Sequence, residues 1–324
     1  MAVSWQAQTL NFAARTFVKP VIARIHFTPR LMKFTQLGFD ALTMVLPVPR
    51  NAEITPVHAD DVPCEWVICA DELHQNRVFI YLHGGGYFFG SPRSHRTITW
   101  RISQAGKMKV LAVDYRQPPD HEYPAPIWDV VRVYRWLLKR GYEPQNIFIG
   151  GDSAGGNLTL ASLLKFRELG LPMPSGAVLI SPWADLSATG DSLRENRKDE
   201  PYIPVSVLKF ICSVYVGENS PQDPMISPIY ADYTGLPPIL IQVGGIEVLL
   251  SDAERVAEAA RRAGIPVKLS VYEDMMHVFQ ALAYVIPEGK EAVREIGRFV
   301  HKHIGRYADR PVDVIPIHGK KKKT

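Results

Sequence analysis

The chain has 324 residues, 46% hydrophobic and 22% charged, values of a globular protein rather than a disordered or fibrous one. Its formal charge of +4 comes from one run, Lys320–Lys323. Without that run 33 basic residues face 33 acidic ones, so the body lacks the basic field that nucleic-acid binding requires.

Three cysteines, Cys64, Cys69 and Cys212, are too few and too odd in number for a disulfide framework. Cys64 and Cys69 also lack metal-ligand spacing. No apolar run reaches the ~18 residues of a membrane span. The N-terminus is interrupted by Arg15, Lys19 and Arg24 and has no small-residue cleavage site. The expected location is the cytoplasm.

Residues 5–45 read as amphipathic helix, with Pro20 and Pro29 as kinks or breaks and apolar positions at Phe12, Phe17, Val21, Ile25 and Phe27. Packing on the domain is preferred over an interfacial role, because the basic residues are few. From about residue 65 strands and helices alternate. Glu65–Cys69, Val78–His83 and Val110–Tyr115 read as strands or short apolar runs, and Pro126–Lys139 as helix. Ile147–Gly150 is a strand, Leu158–Leu169 a helix and Ala177–Ser181 a strand. Residues 185–232 are polar and proline-rich, with a helical stretch at Val205–Val216, and read as an insertion. Ile239–Val243 (strand), Asp252–Ala263 (helix), Val267–Tyr272 (strand) and Lys290–His303 (helix) resume the rhythm. This alternation predicts an α/β fold with a mostly parallel sheet covered by helices on both faces. The expected organisation is a core of residues 46–184 and 233–305, a cap made of residues 1–45 and the insertion 185–232, and a flexible tail over 306–324.

The chemistry concentrates in two glycine-rich turns. Gly151-Asp152-Ser153-Ala154-Gly155 follows a predicted strand and precedes a helix, the context of a nucleophile elbow. There a strained backbone presents the serine oxygen, and flanking glycines allow close approach. The amide of Ala154, at a helix N-terminus, faces the reacting carbonyl. His83-Gly84-Gly85-Gly86-Tyr87 follows another strand and supplies unobstructed amides suited to an oxyanion hole. It lacks the lysine of a phosphate loop and the spacing of a dinucleotide fingerprint. His83 reads as a loop-fixing hydrogen bonder.

A serine nucleophile needs a base, and the base an orienting acid. His277 lies in a loop after the Val267–Tyr272 strand and is the best-placed of ten histidines. The acid falls after the Ile239–Val243 strand, where Glu247 in the loop is preferred to Asp252 at the next helix start. Asp152 reads as a loop-holding residue, with Asp114-Tyr115-Arg116 as its structural counterpart.

His83–Gly86 together with Gly151–Gly156, and the stretch from Asp114-Tyr115-Arg116 to Tyr123-Pro124-Ala125, resemble the hormone-sensitive-lipase-like branch of the α/β-hydrolases over residues 60–300. The resemblance implies a carboxylic-ester hydrolase with a helical cap, no cofactor and no metal. It also implies Ser153 as nucleophile, His277 as general base, and oxyanion donors at Gly85, Gly86 and Ala154, with Gly84 shaping the turn. Two departures stand out: glutamate in the usual aspartate slot, and Asp274 where a glycine often precedes the histidine.

The expected activity is hydrolysis of short to medium acyl or aromatic esters through an acyl-enzyme. Tyr87, Phe88 and Phe89 are candidate substrate contacts, and Trp5, Phe12, Phe17, Phe34, Phe210 and Tyr215 candidate cap aromatics; the alternative is that most of these rings fill the interface between cap and body. The alternatives are a lactone or amide hydrolase with the same triad, or a non-catalytic receptor on the same scaffold. The partner expected is a small ester; nucleic acid is excluded, membrane contact disfavoured, and a homodimer left open.

Overall fold

The computed structural model describes residues 3–25, 28, 31, 38, 47–70 and 73–305. Eight strands form one sheet: β1 (Glu53–Ala59), β2 (Val62–Ile68), β3 (Val78–Leu82), β4 (Lys109–Val113), β5 (Ile147–Asp152), β6 (Gly176–Ile180), β7 (Ile239–Gly244) and β8 (Val267–Tyr272). Their spatial order is β1-β2-β4-β3-β5-β6-β7-β8. The β1–β2 and β2–β4 pairs are antiparallel and every other pair is parallel.

Side-chain alternation explains the layering. Along β3, Val78, Ile80 and Leu82 enter one core cluster while Phe79 and Tyr81 enter the other; β5 splits likewise, with Ile147 and Ile149 opposite Phe148. A strand buried on both faces carries an unbroken apolar run, which is why this part of the sheet was legible. The first cluster takes in α4 (Ala125–Lys139), α5 (Ala154–Glu168) and α8 (Leu250–Arg262). The second takes in α3 (Arg96–Gly106) and α9 (Pro287–His303).

Strand β1 and helix α3 were not anticipated, whereas β2 takes in the strand expected at Glu65–Cys69. The β1–β2 hairpin turns at Asp60 and Asp61, both at positive φ (52° and 68°), where Asp is among the tolerated residues. Its outer strand carries Pro56 and is largely exposed, so it shows little apolar period. Helix α3 buries threonine, serine and glycine beside two isoleucines, which dilutes the hydrophobic signal. At the elbow, β5 runs on to Asp152 and α5 starts at Ala154, because the glycines continue both elements.

The N-terminal region is α1 (Trp5–Ala13), a π-helical turn (Ala14–Val18) and α2 (Lys19–Arg24). Pro20 neither ends nor breaks the helix: it lies in the first turn of α2, where a missing N–H costs least, just after the widened turn. Ala7 and Asn11 face the body, whereas Trp5, Phe12 and Phe17 are 71, 68 and 67% exposed. The expected apolar packing face is thus corrected to a small-residue and polar one. Phe27, Pro29 and Phe34, with the tail 306–324, lie outside the described residues. Among the described residues no helix is long and apolar enough to cross a membrane.

Between β6 and β7, α6 (Ser192–Glu195) and α7 (Val205–Val216) rise over the C-terminal ends of the parallel strands. A β-carbon added at Gly86 would lie 2.8 Å from Ile211 of α7, so this helix roofs the glycine loop.

Candidate active site

Ser153 sits between β5 and α5 at φ 54°, ψ −118°, a conformation that L side chains rarely adopt and that costs of order 1–3 kcal/mol. Surrounding contacts enforce it. The Ser153 amide donates to Ile180 (2.8 Å), and its carbonyl accepts from Gly156 (3.0 Å) and Trp183 (3.1 Å). A β-carbon at Gly151 or Gly155 would fall 2.2 or 2.0 Å from the Leu82 carbonyl. The two glycines therefore let the elbow close against the end of β3, bringing it to the His83–Gly86 loop.

That loop is fastened from below by Asp152. Its carboxylate accepts from the Tyr81 hydroxyl and from the Gly84 amide (3.0 Å), and faces His95 Nε2 at 3.4 Å. Burial pushes the Asp152 carboxyl up, but His95, Tyr81 and His83 together hold it below the ordinary value. Of the expected counterpart at 114–116, Tyr115 holds the same loop by donating to the His83 carbonyl (2.6 Å), whereas Arg116 pairs with Asp129. His83 Nδ1 lies 2.8 Å from the Gly84 carbonyl, and burial, with His95 adding, pushes its pKa down to about 3. It is a neutral loop-fixing group. Among the described residues the amides of Gly85, Gly86 and Ala154 have no protein acceptor.

On the other side, His277 Nδ1 donates to Glu247 Oε2 at 2.6 Å. Glu247 Oε1 accepts from the Ser181 hydroxyl (2.7 Å) and the Gly244 amide, and Ser181 Oγ in turn accepts from the Val278 amide (3.1 Å). Ser181 follows Ile180, the acceptor of the Ser153 amide, so one short segment ties elbow, acid and histidine together. Burial disfavours the His277 imidazolium, yet Glu247, with Glu200 and Asp152 adding, raises its pKa above 6.5. No hydrogen bond joins Ser153 Oγ to His277 Nε2; without substrate such contacts are often loose. Asp252 is otherwise engaged: its Oδ2 accepts from the amides of Ala184 and Asp185, both 2.8 Å. Asp274 is at φ 52°, the left-handed backbone that a glycine would supply.

The aromatic candidates divide. Tyr87 is fully buried, stacked on Tyr215 of α7 at 3.8 Å and donating to Asn157 of α5 (2.7 Å); it joins those two helices, which corrects its reading as a substrate contact. Tyr215 is buried in that stack, and Trp5, Phe12 and Phe17 point to solvent, so these do not line the site. Phe88 is buried and Phe89 half-buried, their rings edge-to-face at 4.6 Å. Among the described residues no three His, Cys, Asp or Glu side chains converge as metal ligands.

Sequence reading missed Ser181, Asn196, Glu200 and Tyr202. Ser181 carried a signal, a polar residue closing an apolar strand; the others lie in a stretch without period.

The pattern of the α/β-hydrolase fold family matches residues 79–281, and the chain belongs to that family. It is 40% identical over 260 residues to an acetyl-hydrolase of Streptomyces hygroscopicus (80% of this chain, 85% of the relative). To an esterase of Acinetobacter venetianus it is 35% identical over 261 residues (80% and 86%). The crystal structure of an esterase from the bacterial hormone-sensitive lipase family superposes with a TM-score of 0.87 at 40% identity, covering 94% of this chain and all of that one. Within the α/β-hydrolases, the chain is of the hormone-sensitive-lipase-like esterase kind.

Proposed function

We propose that Ser153, His277 and Glu247 form the catalytic triad, with Gly85, Gly86 and Ala154 as oxyanion donors. The protein is a carboxylesterase, and its reaction is carboxylic-ester hydrolysis. The observation that carries the residue assignment is the Glu247–His277 hydrogen bond of 2.6 Å in the loops beside a strained Ser153.

His277 Nε2 takes the Ser153 proton as Oγ attacks the ester carbonyl, and Glu247 stabilises the imidazolium formed. The three amides hold the oxyanion, each worth ~3 kcal/mol of barrier. The imidazolium protonates the leaving alcohol; water, activated by His277, then releases the acid.

The preferred substrates are esters of short acyl groups. The acetyl-hydrolase relative agrees with this preference.

The N-terminal helices and the insertion 185–232 act as the cap. Bonds from Lys19 to the carbonyls of Arg197 and Glu200, 2.7 Å each, favour that division. Three free cysteines fit a cytoplasmic setting.

The test is acyl-chain profiling of p-nitrophenyl esters with labelling by a fluorophosphonate. The expected result is faster turnover of C4 than C16 esters and a label on Ser153. Faster C16 turnover removes the short-acyl reading, and a label elsewhere removes the triad.

A further inference from the structure

The insertion brings a second buried carboxylate to the Glu247–His277 pair. Glu200 is 0% exposed. Its Oε1 accepts from the amides of Tyr202 (3.1 Å) and Ile203 (3.3 Å), and its Oε2 from the amide of Val248 (3.1 Å), the residue after Glu247. The same segment grips both loops. Asn196 Nδ2 donates to the carbonyls of Gly245 (3.1 Å) and Glu247 (2.8 Å), and the Tyr202 hydroxyl donates to the His277 carbonyl. The N-terminal helices brace it from outside through Lys19, while Asn11 Nδ2 donates to the Asp274 carbonyl (2.6 Å) in the histidine loop.

A buried ionisable group is costly unless its neighbours repay it. Here the three donors to the carboxylate are neutral amides, spread over both oxygens. A glutamine would satisfy one side and turn an N–H toward the Val248 amide. The geometry calls for an acid.

We propose that Glu200 is a positioning residue for ester hydrolysis: it ties the insertion to the turn carrying Glu247, and its charge favours the imidazolium that His277 becomes during proton transfer. This rests on the triad reading above. The charged and titratable groups around it are His277 from the loop after β8, Glu247 from the loop after β7, Lys19 from α2 and Tyr202 on its own segment. Asp152 adds to the field at His277. Burial, with Glu247 adding, pushes the Glu200 carboxyl above its ordinary range, against the pull of His277 and the amides.

The experiment compares Glu200→Gln with Glu200→Asp on p-nitrophenyl acetate. In Glu200→Gln, kcat falls ~10- to 100-fold, the scale of misplaced catalytic geometry. The acid limb of kcat/KM also moves to lower pH, because the imidazolium has lost a favourable neighbour. Glu200→Asp keeps the charge, so its limb stays at the wild-type pH while kcat drops. A Glu200→Gln protein that is folded by circular dichroism, with wild-type kcat and an unmoved limb, overturns the proposal. Should that variant not fold, Glu200→Asp decides. A lowered kcat with an unmoved limb supports the proposal; a limb moved down, or an unchanged kcat, overturns it. Loss of the triad reading is a separate outcome, seen when the fluorophosphonate does not label Ser153 in the wild-type protein.

Discussion

Around Ser153 the chain is shaped by its backbone, whereas around His277 it is shaped by side chains. The elbow relies on a positive φ, two glycines against the Leu82 carbonyl and amide bonds from neighbouring strands. The histidine side relies on Glu247, Ser181, Asn196, Glu200 and Tyr202, residues up to 66 positions apart in sequence but joined by hydrogen bonds. In the proposed triad the nucleophile must occupy one fixed point, which covalent geometry and strain secure. The proposed base must change charge during turnover, and oriented polar partners stabilise its charged state.

The comparison is sharpest at the nucleophile. Ser153→Ala is expected to lower ester hydrolysis ~10⁴-fold or more, read with p-nitrophenyl acetate. Ser153→Gly is equally inactive but relieves the backbone, so it melts at higher temperature, by the equivalent of about 1 kcal/mol. A Ser153→Gly protein no more stable than Ser153→Ala would show that the elbow stores no strain.

Glu247→Gln comes next, with a fall of ~10³- to 10⁴-fold in kcat from loss of the group that orients and stabilises the imidazolium. If activity survives within tenfold, as a rough bound, another acid serves, and Asp252→Asn becomes the variant to measure. Ser181→Ala removes one donor to Glu247 and the acceptor of the Val278 amide; kcat drops ~10-fold with an unchanged fluorophosphonate site, on the scale of a lost hydrogen bond to a charged group.

The smallest effect is a displacement on the pH axis. In the proposed mechanism catalysis needs neutral His277, and the folded protein favours its protonated form. The acid limb of kcat/KM therefore lies above pH 6.5, and activity is lost as the pH falls through it. For stability the sign is opposite: a raised histidine pKa contributes most below the unfolded value and is lost as the pH rises through the folded one. A limb at or below 6.5 in stopped-time assays would mean that burial outweighs Glu247 and Glu200.

The sequence by itself determined the parallel sheet, since strands buried on both faces must be written as apolar runs. It also determined the elbow and the glycine loop, because each is a local conformation that only certain neighbouring residues permit. Ser153, His277 and Glu247 were picked out as candidates from motif and from position after a strand, and the structure joins the last two by a hydrogen bond.

Other features were decided by the tertiary structure alone. The exposed aromatics of α1, the Tyr87–Tyr215 stack that takes Tyr87 away from substrate, and the Asn196–Tyr202 segment over the acid and histidine leave no period in the chain. Hydrogen bonds and ring contacts between distant residues need only the right atom at the right point in space. One buried glutamate in a proline-rich stretch reads like any solvated charge until the fold places it beside His277.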